Sequence, residues 1–350
     1  MGRTKKNPEQ SSGEENDTVL KELEKEFGDI FTSAHEFADK KKIVIPMSPK
    51  IDMSLGGGIP EGSLVLLTGP KKCGKTSSAL HFAGIAQQME YTSDLCPNGR
   101  WVYFFNIEGR FKTRDLEGIK TLNWDRFKVI ESKPGNILTA EKYISIGEKL
   151  INTKPGAIFV FDSFSQLCTA GEREADIGDR YRADSPLLLA RFTRRIANVI
   201  PINKCVVVGI THMIANQGMG HSLYSEASGN KIQYQADVKL RCTHHQPILV
   251  GETQVAQNNN WICEFSAIGP PGAKTTSILR YGYGLDKEAE LLDICSDLGI
   301  ITKGGAWYTF PDESKYQGQE KASQALRDNP GLYTELEGQY RELMGYPKEV

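Results

Sequence analysis

The chain has 350 residues, a formal net charge of -2 at pH 7 and a hydrophobic fraction of 39%. A chain of this length buries enough apolar surface to fold without disulfides, and its near-neutral charge gives the whole protein no attraction for phosphate backbones. Nucleic-acid binding would therefore have to come from a local patch or loop. No apolar run approaches the roughly 18 residues of a membrane span, which predicts a soluble protein without a membrane partner.

The seven cysteines include no Cys-x-x-Cys pair, and the N-terminal residues lack the apolar segment of a secretory leader. Both features favour a reducing cytoplasm without structural disulfides. Cys242, His244, His245 and Cys263 are conceivable metal ligands, but their spacing matches no standard zinc pattern. We interpret them as ordinary strand residues.

The N-terminal region is predicted to form an arm that consists of a tail, a short helix and a short strand. Residues 1–16 are polar and show no periodicity, so we expect a disordered tail there. From Asp17 apolar residues recur at helical spacing, with Gly28 near the end of the predicted helix, and a short apolar strand follows at 43–45. The segment 17–45 has little of its own to pack against, so its apolar face should be buried on the core or on a neighbouring subunit.

Residues 46–285 alternate strands and helices. Strands are predicted at 64–68, 101–107, 157–161 and 205–210, and helices at 75–88, 140–152 and 186–199. Continuous apolar strands separated by helices are typical of a mainly parallel sheet that is covered on both faces. The fold class predicted for this region is α/β.

In residues 286–350 the alternation of buried strands and helices gives way to helices and a short hairpin, which predicts a small C-terminal α/β domain. We expect a helix at 287–298, a hairpin at 299–310, and helices at 319–328 and 332–344. Pro330 lies close to the first position of the last helix, where proline is favoured.

The strongest motif is Gly69-Pro-Lys-Lys-Cys-Gly-Lys-Thr76, which follows a strand and opens a helix as a P-loop requires. Backbone N–H groups would wrap the β-phosphate of ATP, Lys75 would bridge the β and γ oxygens, and Thr76 would ligate Mg²⁺. The residues predicted to contact the nucleotide are Gly69, Pro70, Lys72, Cys73, Gly74, Lys75, Thr76 and Ser77. A glycine-rich turn that matches by chance is the alternative, which the flanking elements disfavour.

Three further polar residues follow predicted strands. Asp162 and Ser163 are predicted to contact the bound nucleotide, and Asp162 is predicted to share the Mg²⁺ with Thr76. Aspartates at strand ends also cap helices, which is the alternative for Asp162. Glu108 would orient the attacking water if its strand lies next to the P-loop strand. The alternative for Glu108 is a solvated glutamate at a strand end.

The order of these motifs resembles the RecA recombinase family. The resemblance covers residues 17–344 and includes Phe105–Glu108, Phe161–Ser163, the Gly-Gly-Ala-Trp-Tyr segment at 304–308 and Arg-Asp-Asn-Pro at 327–330. The P-loop alone would indicate only an ATPase, whereas the two C-terminal motifs are specific to bacterial-type RecA and its relatives. The resemblance implies a RecA-type P-loop ATPase core with an N-terminal polymerisation arm.

The resemblance also implies an activity and partners. It implies a DNA-stimulated ATPase that uses ATP and Mg²⁺, forms a helical filament on single-stranded DNA, and pairs that strand with homologous duplex DNA. The implied partners are the two kinds of DNA, further copies of the chain through residues 17–45, and loader and single-strand-binding proteins. Two other classes stay open: a RecA-fold nucleotide-binding scaffold and a ring ATPase. The Gly-Gly-Ala-Trp-Tyr segment disfavours both.

Residue by residue, Glu108 falls on the family's catalytic glutamate, Asp162 on its Walker B aspartate, and Lys75 and Thr76 on its P-loop pair. His212 falls where bacterial RecA has a glutamine that senses the γ-phosphate, and we group it with the catalytic residues. Histidine at this position is similar to T4-type phage recombinases, which favours a phage-encoded or divergent recombinase. A strand-end histidine in water is the alternative.

Two segments fall on the DNA-binding loops of the family, namely 172–184 and 211–231. The residues predicted to bind DNA are Arg173, Arg180, Tyr181, Arg182, Met213, Ile214, Gly218, Met219, Gly220, Ser228, Gly229, Asn230 and Lys231. Surface loops without a ligand are the alternative. The lysines with which bacterial RecA reaches a neighbour's ATP fall on Ser266 and Ile268. Either Lys274, Arg280 or another residue takes that role, or hydrolysis is activated differently.

Overall fold

The computed structural model describes residues 8–39, 43–89, 99–176, 184–215, 224–226 and 230–346, and for 8–17, 214–215, 224–226 and 230–231 it describes the backbone alone. The chain divides into two compact units at the junction of Lys42 and Ile43.

The first unit consists of helices α1 (Pro8–Phe27) and α2 (Ala34–Asp39). Helix α1 begins at Pro8 rather than at Asp17, because proline is tolerated at the first helical position and the glutamates that follow are good helix formers. The disordered tail predicted over 1–16 is therefore wrong for residues 8–16, and residues 1–7 lie outside the described chain. Large apolar side chains of this unit are exposed, namely Val19, Leu20, Phe27, Ile30, Phe31 and Phe37.

The second unit begins with strand β1. Its strands are β1 (Val44–Ile45), β2 (Ile59–Pro60), β3 (Leu64–Gly69), β4 (Val102–Asn106), β5 (Phe127–Ile130), β6 (Ile158–Asp162), β7 (Val206–Ala215), β8 (Tyr224–Glu226), β9 (Val238–Val250), β10 (Thr253–Phe265), β11 (Ala273–Arg280), β12 (Gly284–Leu285), β13 (Thr302–Gly304), β14 (Trp307–Thr309) and β15 (Lys315–Gln317). Its helices are α3 (Pro49–Leu55), α4 (Lys75–Gln88), α5 (Thr113–Glu117), α6 (Ala140–Thr153), α7 (Ala170–Glu174), α8 (Ser185–Ile196), α9 (Val199–Ile202), α10 (Lys287–Asp297), α11 (Gln319–Asp328) and α12 (Pro330–Leu343).

The central sheet has the strand order β12-β11-β10-β9-β3-β7-β6-β4-β5, and β8 pairs with β7. The pairs from β9 to β5 are parallel, which confirms the predicted α/β core. Strands β10 to β12 extend the sheet antiparallel beyond β9. Strand β4 is separated from the P-loop strand β3 by β6 and β7, so the adjacency on which the role of Glu108 was made conditional is not present. Strands β3 and β4 follow one another along the chain but are not neighbours, because the helical crossover between them carries the chain over two intervening positions.

Side chains from both faces of the sheet are buried. On β3, Val65 and Leu67 face one hydrophobic cluster and Leu64 and Leu66 face the other, as the two-residue period of a strand requires. The first cluster includes residues of α4, and the second includes residues of α6 and α8. Helices on both faces explain why these strands are continuously apolar.

Strand β1 belongs to its own chain's core. It pairs antiparallel with β2, Ile45 opposite Ile59, and Ile45 is fully buried in the first cluster. Ile45 is thus unavailable to a neighbouring subunit, which corrects the prediction that 17–45 as a whole serves self-association. The pairing of β1 with β2 is not indicated by the hydrophobic periodicity of the sequence.

Strand β7 is longer than the apolar run at 205–210 indicates. It continues through His212 to Ala215 and forms an antiparallel hairpin with β8, in which Met213 lies opposite Glu226. The interpretation that the strand ends and a loop begins at residue 211 is therefore wrong. Pairing with β3 at Thr211 and His212, and with β8 from Met213 to Ala215, satisfies backbone groups of this extension.

The C-terminal helices and hairpin are present as predicted, and β15 adds a third strand to the hairpin. These elements share a separate hydrophobic cluster that includes Leu292, Tyr308, Leu326 and Leu336. The domain boundaries proposed above stay predictions. Among the described helices, none is both long and apolar enough to cross a membrane.

Candidate functional site: a P-loop at the carboxyl ends of β3, β6 and β7

The P-loop joins β3 to α4 and is closely packed. Gly69 and Gly74 both have left-handed φ values, 146° and 78°. A Cβ atom on Gly69 would lie 2.7 Å from the Cys242 carbonyl oxygen, and one on Gly74 would lie 2.7 Å from Leu279 Cδ2. Only glycine fits both positions, so the motif's glycines are required by conformation and by packing.

Lys75 is buried at the start of α4 and points back into the loop. Its Nζ donates to the carbonyl oxygens of Gly69 at 2.9 Å and Pro70 at 2.6 Å. A buried ammonium held by loop carbonyls, at the N-terminus of a 14-residue helix, gives the P-loop a concentrated positive field. That field suits the phosphate groups of a nucleotide.

Thr76 and Asp162 meet next to the P-loop. Thr76 Oγ1 donates to Asp162 Oδ2 at 2.7 Å. Burial raises the pKa of Asp162 to about 6, and the hydrogen bond from Thr76 opposes that effect. A hydroxyl and a carboxylate supply the oxygen ligands that Mg²⁺ prefers, so the pair fits this metal.

Glu108 reaches the same place although two strands, β7 and β6, lie between its strand and the P-loop strand β3. The backbone N–H groups of Ile107 and Glu108 donate to the Asp162 carbonyl at 2.9 and 3.1 Å, which turns the chain after β4 toward the end of β6. Ser163 Oγ then donates to Glu108 Oε1 at 3.0 Å. The pairing of β4 with β6 and the turn after β4 together place Glu108 in the site.

His212 completes the group. It pairs in register with Gly69 at the start of the P-loop, and its backbone N–H donates to Ser165 Oγ at 2.9 Å. Its Nε2 lies 2.5 Å from Glu108 Oε1. This hydrogen bond is the main cause of the lowered pKa of Glu108, so the carboxyl stays ionised at neutral pH. The buried Nδ1 of His212 has no hydrogen-bond partner among the described residues.

A cavity of about 600 Å³ opens beside the N-terminus of α4. Ser77 lines it from the helix, Lys120 from the segment after α5, and Tyr281 from the end of β11. Tyr281 also accepts a hydrogen bond from Gln254 Nε2 at 2.6 Å. The cavity therefore lies beside the helix that follows the P-loop and has polar and aromatic walls suited to a small ligand.

The residues predicted to bind DNA are not brought together among the described residues. Arg173 is exposed on α7, Met213 is half-buried on β7, and the backbones of Ile214, Asn230 and Lys231 lie in β7 and in a 3₁₀ turn at 230–235. The others lie outside the described residues, namely Arg180, Tyr181, Arg182, Gly218, Met219, Gly220, Ser228 and Gly229.

Several residues around the P-loop were not predicted. Gln257 of β10 donates from Nε2 to the carbonyl of Lys72 at 3.2 Å and to Asn259 Oδ1 at 2.8 Å. Because antiparallel strand β10 is distant in sequence, no local pattern indicates this contact. Ser165, which orients His212, lies three residues after Asp162 and is the one member that the motif at 161–163 could have suggested.

Comparisons with known proteins agree with this geometry. Residues 14–286 match the family model of the RecA N-terminal domain, and residues 289–345 match that of the RecA C-terminal domain. A protein RecA from Halalkalibacterium halodurans is 27% identical over 338 residues, covering 95% of this chain and 93% of the relative.

Two further RecA proteins are similar over nearly the whole chain. The protein from Geobacter sulfurreducens is 26% identical, with 95% of each chain covered. The protein from a Nocardioides species is 28% identical, with 94% of this chain and 91% of the relative covered. The match to both domain models, in chain order, identifies the protein as a member of the RecA family.

Proposed function

We propose that this chain is an ATP-dependent recombinase that forms helical filaments on single-stranded DNA and pairs that strand with homologous duplex DNA. The observation that carries the proposal is the convergence of Lys75, Thr76, Asp162, Glu108 and His212 at the carboxyl ends of β3, β6, β4 and β7. Parallel sheets of this type bind ligands outside these strand ends.

The P-loop residues hold the nucleotide. On binding ATP, Lys75 exchanges the carbonyl oxygens of Gly69 and Pro70 for phosphate oxygens, while the loop's N–H groups and the α4 N-terminus bind the phosphates. Thr76 and Asp162 would hold Mg²⁺, which neutralises charge on the phosphates during transfer to water. The cavity lined by Ser77 and Tyr281 accommodates the nucleoside.

Glu108 orients the attacking water, and its lowered pKa keeps it ionised for that task. His212 connects this carboxylate to the segment that follows β7. A γ-phosphate competes with Glu108 for the His212 side chain, so the nucleotide state changes the hydrogen bonding at the base of the β7–β8 hairpin. ATP binding is thereby linked to the segment that contacts DNA.

DNA contacts are assigned to two segments. Residues 172–184 supply Arg173 and its neighbours, and residues 211–231 supply Met213, Ile214 and the residues that follow them. Arginine and lysine neutralise backbone charge, and apolar side chains of the second segment stack on or separate bases.

Self-association is assigned to the N-terminal unit. Helix α1 and the segment after it expose Leu20, Phe27 and Phe31, and a monomeric unit rarely exposes so many large apolar groups without a partner. Loader and single-strand-binding proteins as partners, a cytoplasmic location and a relationship to T4-type phage recombinases stay predictions.

Electron microscopy tests the proposal directly. With single-stranded DNA and a non-hydrolysable ATP analogue, the wild type should form long helical filaments. Lys75→Ala should form none, whereas Lys71→Ala, which changes an exposed lysine of the same loop, should behave as the wild type. Closed rings would support a ring ATPase, and nucleotide binding without any DNA-dependent assembly would support a scaffold.

A further inference from the structure

Two thiols meet behind the P-loop. Cys73 is a fully buried residue of the loop, and Cys242 is a fully buried residue of β9, the strand beside β3. A Cβ atom added to Gly69 would lie 3.2 Å from Cys73 Sγ and 3.0 Å from Cys242 Cβ, so both side chains reach the same point. Both cysteines are free thiols.

The two sulfurs differ in character. The hydrogen bond from Cys242, and secondarily the charge of Lys75, lower the pKa of Cys73 against the effect of burial. The same contact raises the pKa of Cys242. Lys75 Nζ lies 3.6 Å from Cys73 Sγ and supports its thiolate form. Because the thiolate is the nucleophile in sulfur oxidation, Cys73 is the sulfur that reacts first.

We propose that Cys73 is a redox modification site at which a hydroperoxide converts Cys73 and Cys242 into a disulfide that closes the P-loop to nucleotide. The blocking effect rests on the proposed function, since it requires that the P-loop bind ATP. The formation of the disulfide does not.

The chemistry proceeds in two balanced steps. The Cys73 thiolate attacks the terminal peroxide oxygen, an S–O bond forms and the O–O bond breaks; hydroxide leaves from hydrogen peroxide, or alkoxide from an organic hydroperoxide, and takes up a proton. The Cys242 sulfur then attacks the Cys73 sulfenic acid, the S–S bond forms, the S–O bond breaks, and a water molecule leaves with the Cys242 proton. One hydroperoxide is reduced and two thiols are oxidised.

The disulfide acts on the nucleotide site through the loop. Cys73 Sγ donates to the Pro70 carbonyl at 3.1 Å, and Pro70 and Gly69 are also the acceptors of Lys75. A disulfide to Cys242 of β9 removes the hydrogen bond from Cys73 to the Pro70 carbonyl and fixes the Cys73 side chain against the sheet. The loop then cannot rearrange around phosphate groups, and Lys75 loses its sulfur contact.

The burial of both sulfurs limits the size of the oxidant that can reach them. Both are inaccessible to solvent in the closed loop, so oxidation requires a local opening of the loop, which admits a small peroxide more readily than a bulky disulfide. Bound ATP covers the same loop, so it should slow the reaction. Cys168, an exposed thiol whose pKa is raised, provides a matched control away from the loop.

The test uses the full chain, reduced and then treated with hydrogen peroxide in the absence of nucleotide. Remaining thiols are alkylated, the protein is digested, and cross-linked peptides are identified by mass spectrometry. Binding of a fluorescent ATP analogue is measured before oxidation, after it, and after dithiothreitol. The variants are Cys242→Ser, Cys73→Ala and the control Cys168→Ser.

We expect a Cys73–Cys242 cross-link in the wild type and in Cys168→Ser, at least about ten-fold weaker nucleotide binding, and full recovery with dithiothreitol. Neither Cys242→Ser nor Cys73→Ala should show this reversible loss. Absence of the cross-link, or equal loss in Cys242→Ser, overturns the proposal. Failure of the reduced wild type to bind the analogue would overturn the proposed function and the blocking effect, while a mapped cross-link would still establish the modification site.

Discussion

The imidazole Nε2 of His212 lies 2.5 Å from Oε1 of Glu108, and so joins the end of β7 to the turn that follows β4. Under the proposed function, this contact joins Glu108, to which we assign the orientation of water, to the strand that continues into the second segment assigned to DNA. It would then give DNA and nucleotide a direct route by which to influence one another.

Loss of this link should uncouple ATP hydrolysis from DNA. In His212→Ala, we expect the single-stranded-DNA-stimulated ATPase rate to fall by about 10²-fold, a magnitude typical of a positioned catalytic group. Nucleotide affinity should change far less, because Lys75 and Thr76 are unaltered. His212→Gln, which retains a hydrogen-bonding side chain, should keep most of the stimulation, and a normal stimulated rate in His212→Ala would contradict this role.

Mg²⁺-dependent nucleotide binding should weaken as pH falls through about 6. The pKa of Asp162 is raised to about 6, so the carboxyl is ionised above that value and becomes protonated below it, where it no longer ligates a metal. Titration of Mg²⁺-dependent binding of an ATP analogue from pH 5 to 8 measures the midpoint.

The same titration has an internal control. The charge of Glu108 contributes to the raised pKa of Asp162, so Glu108→Gln should move the midpoint to lower pH. A midpoint that stays unchanged in this variant, or binding independent of pH across the range, would show that Asp162 does not govern the metal.

Gly209 is required for packing under the site. A Cβ atom there would lie 2.1 Å from Phe164 Cε2, within the closely packed aromatic cluster between β7 and the turn after β6. Gly209→Ala should therefore reduce the free energy of unfolding by about 3 kcal/mol. Gly304→Ala, where no atom lies within 4 Å, should change it by less than about 0.5 kcal/mol in the same urea titration. Equal stabilities would contradict the packing argument.

Asp286 ties the core to the C-terminal helices. Its fully buried carboxylate caps α10 by accepting from the Ala289 N–H at 3.2 Å, and it accepts from Arg327 at 2.8 Å and from Arg280. Asp286→Ala would leave two partly buried guanidinium groups without this partner, at a cost of about 3 kcal/mol in stability.

The control for this variant is Asp312→Ala, which changes an exposed carboxylate that bonds only Ser314 among the described contacts. It should leave the urea midpoint almost unchanged. If both variants unfold at the same urea concentration as the wild type, the Asp286 network does not stabilise the fold.

The P-loop was predictable because its information is local. The strand, the glycines and Lys75 occur within one short segment, and the conformation of that segment depends on its own residues. Asp162 was predictable for the same reason, since a polar residue after a buried strand lies at the carboxyl edge of a parallel sheet.

Strand order and the long-range contacts could not be predicted, because no local sequence pattern determines them. The position of Glu108 depends on two crossovers and on the Ile107 and Glu108 bonds to Asp162, which no periodicity encodes. The run Gln257-Asn-Asn-Asn260 consists of residue types that are mostly depleted in strands, yet it lies within β10, because β9 and β11 pair with it on both sides. Its contacts to the P-loop therefore required the tertiary structure.

The β7–β8 hairpin shows that the length of a strand is also poorly predicted from the sequence. The apolar run at 205–210 marks only the continuously apolar part of β7, whereas the strand continues through Thr211 and His212, which pair with β3, to Ala215, which pairs with β8. Hydrophobic patterning does not indicate this extension, because it is held by backbone pairing with other strands.

The most direct test of the central claim is ATP hydrolysis by the wild type and by Glu108→Gln, each with and without single-stranded DNA, alongside analogue binding to confirm that both take up nucleotide. The account predicts strong stimulation by DNA in the wild type and its loss in Glu108→Gln with nucleotide binding retained. Hydrolysis that does not depend on DNA, or stimulation that survives in Glu108→Gln, would contradict it.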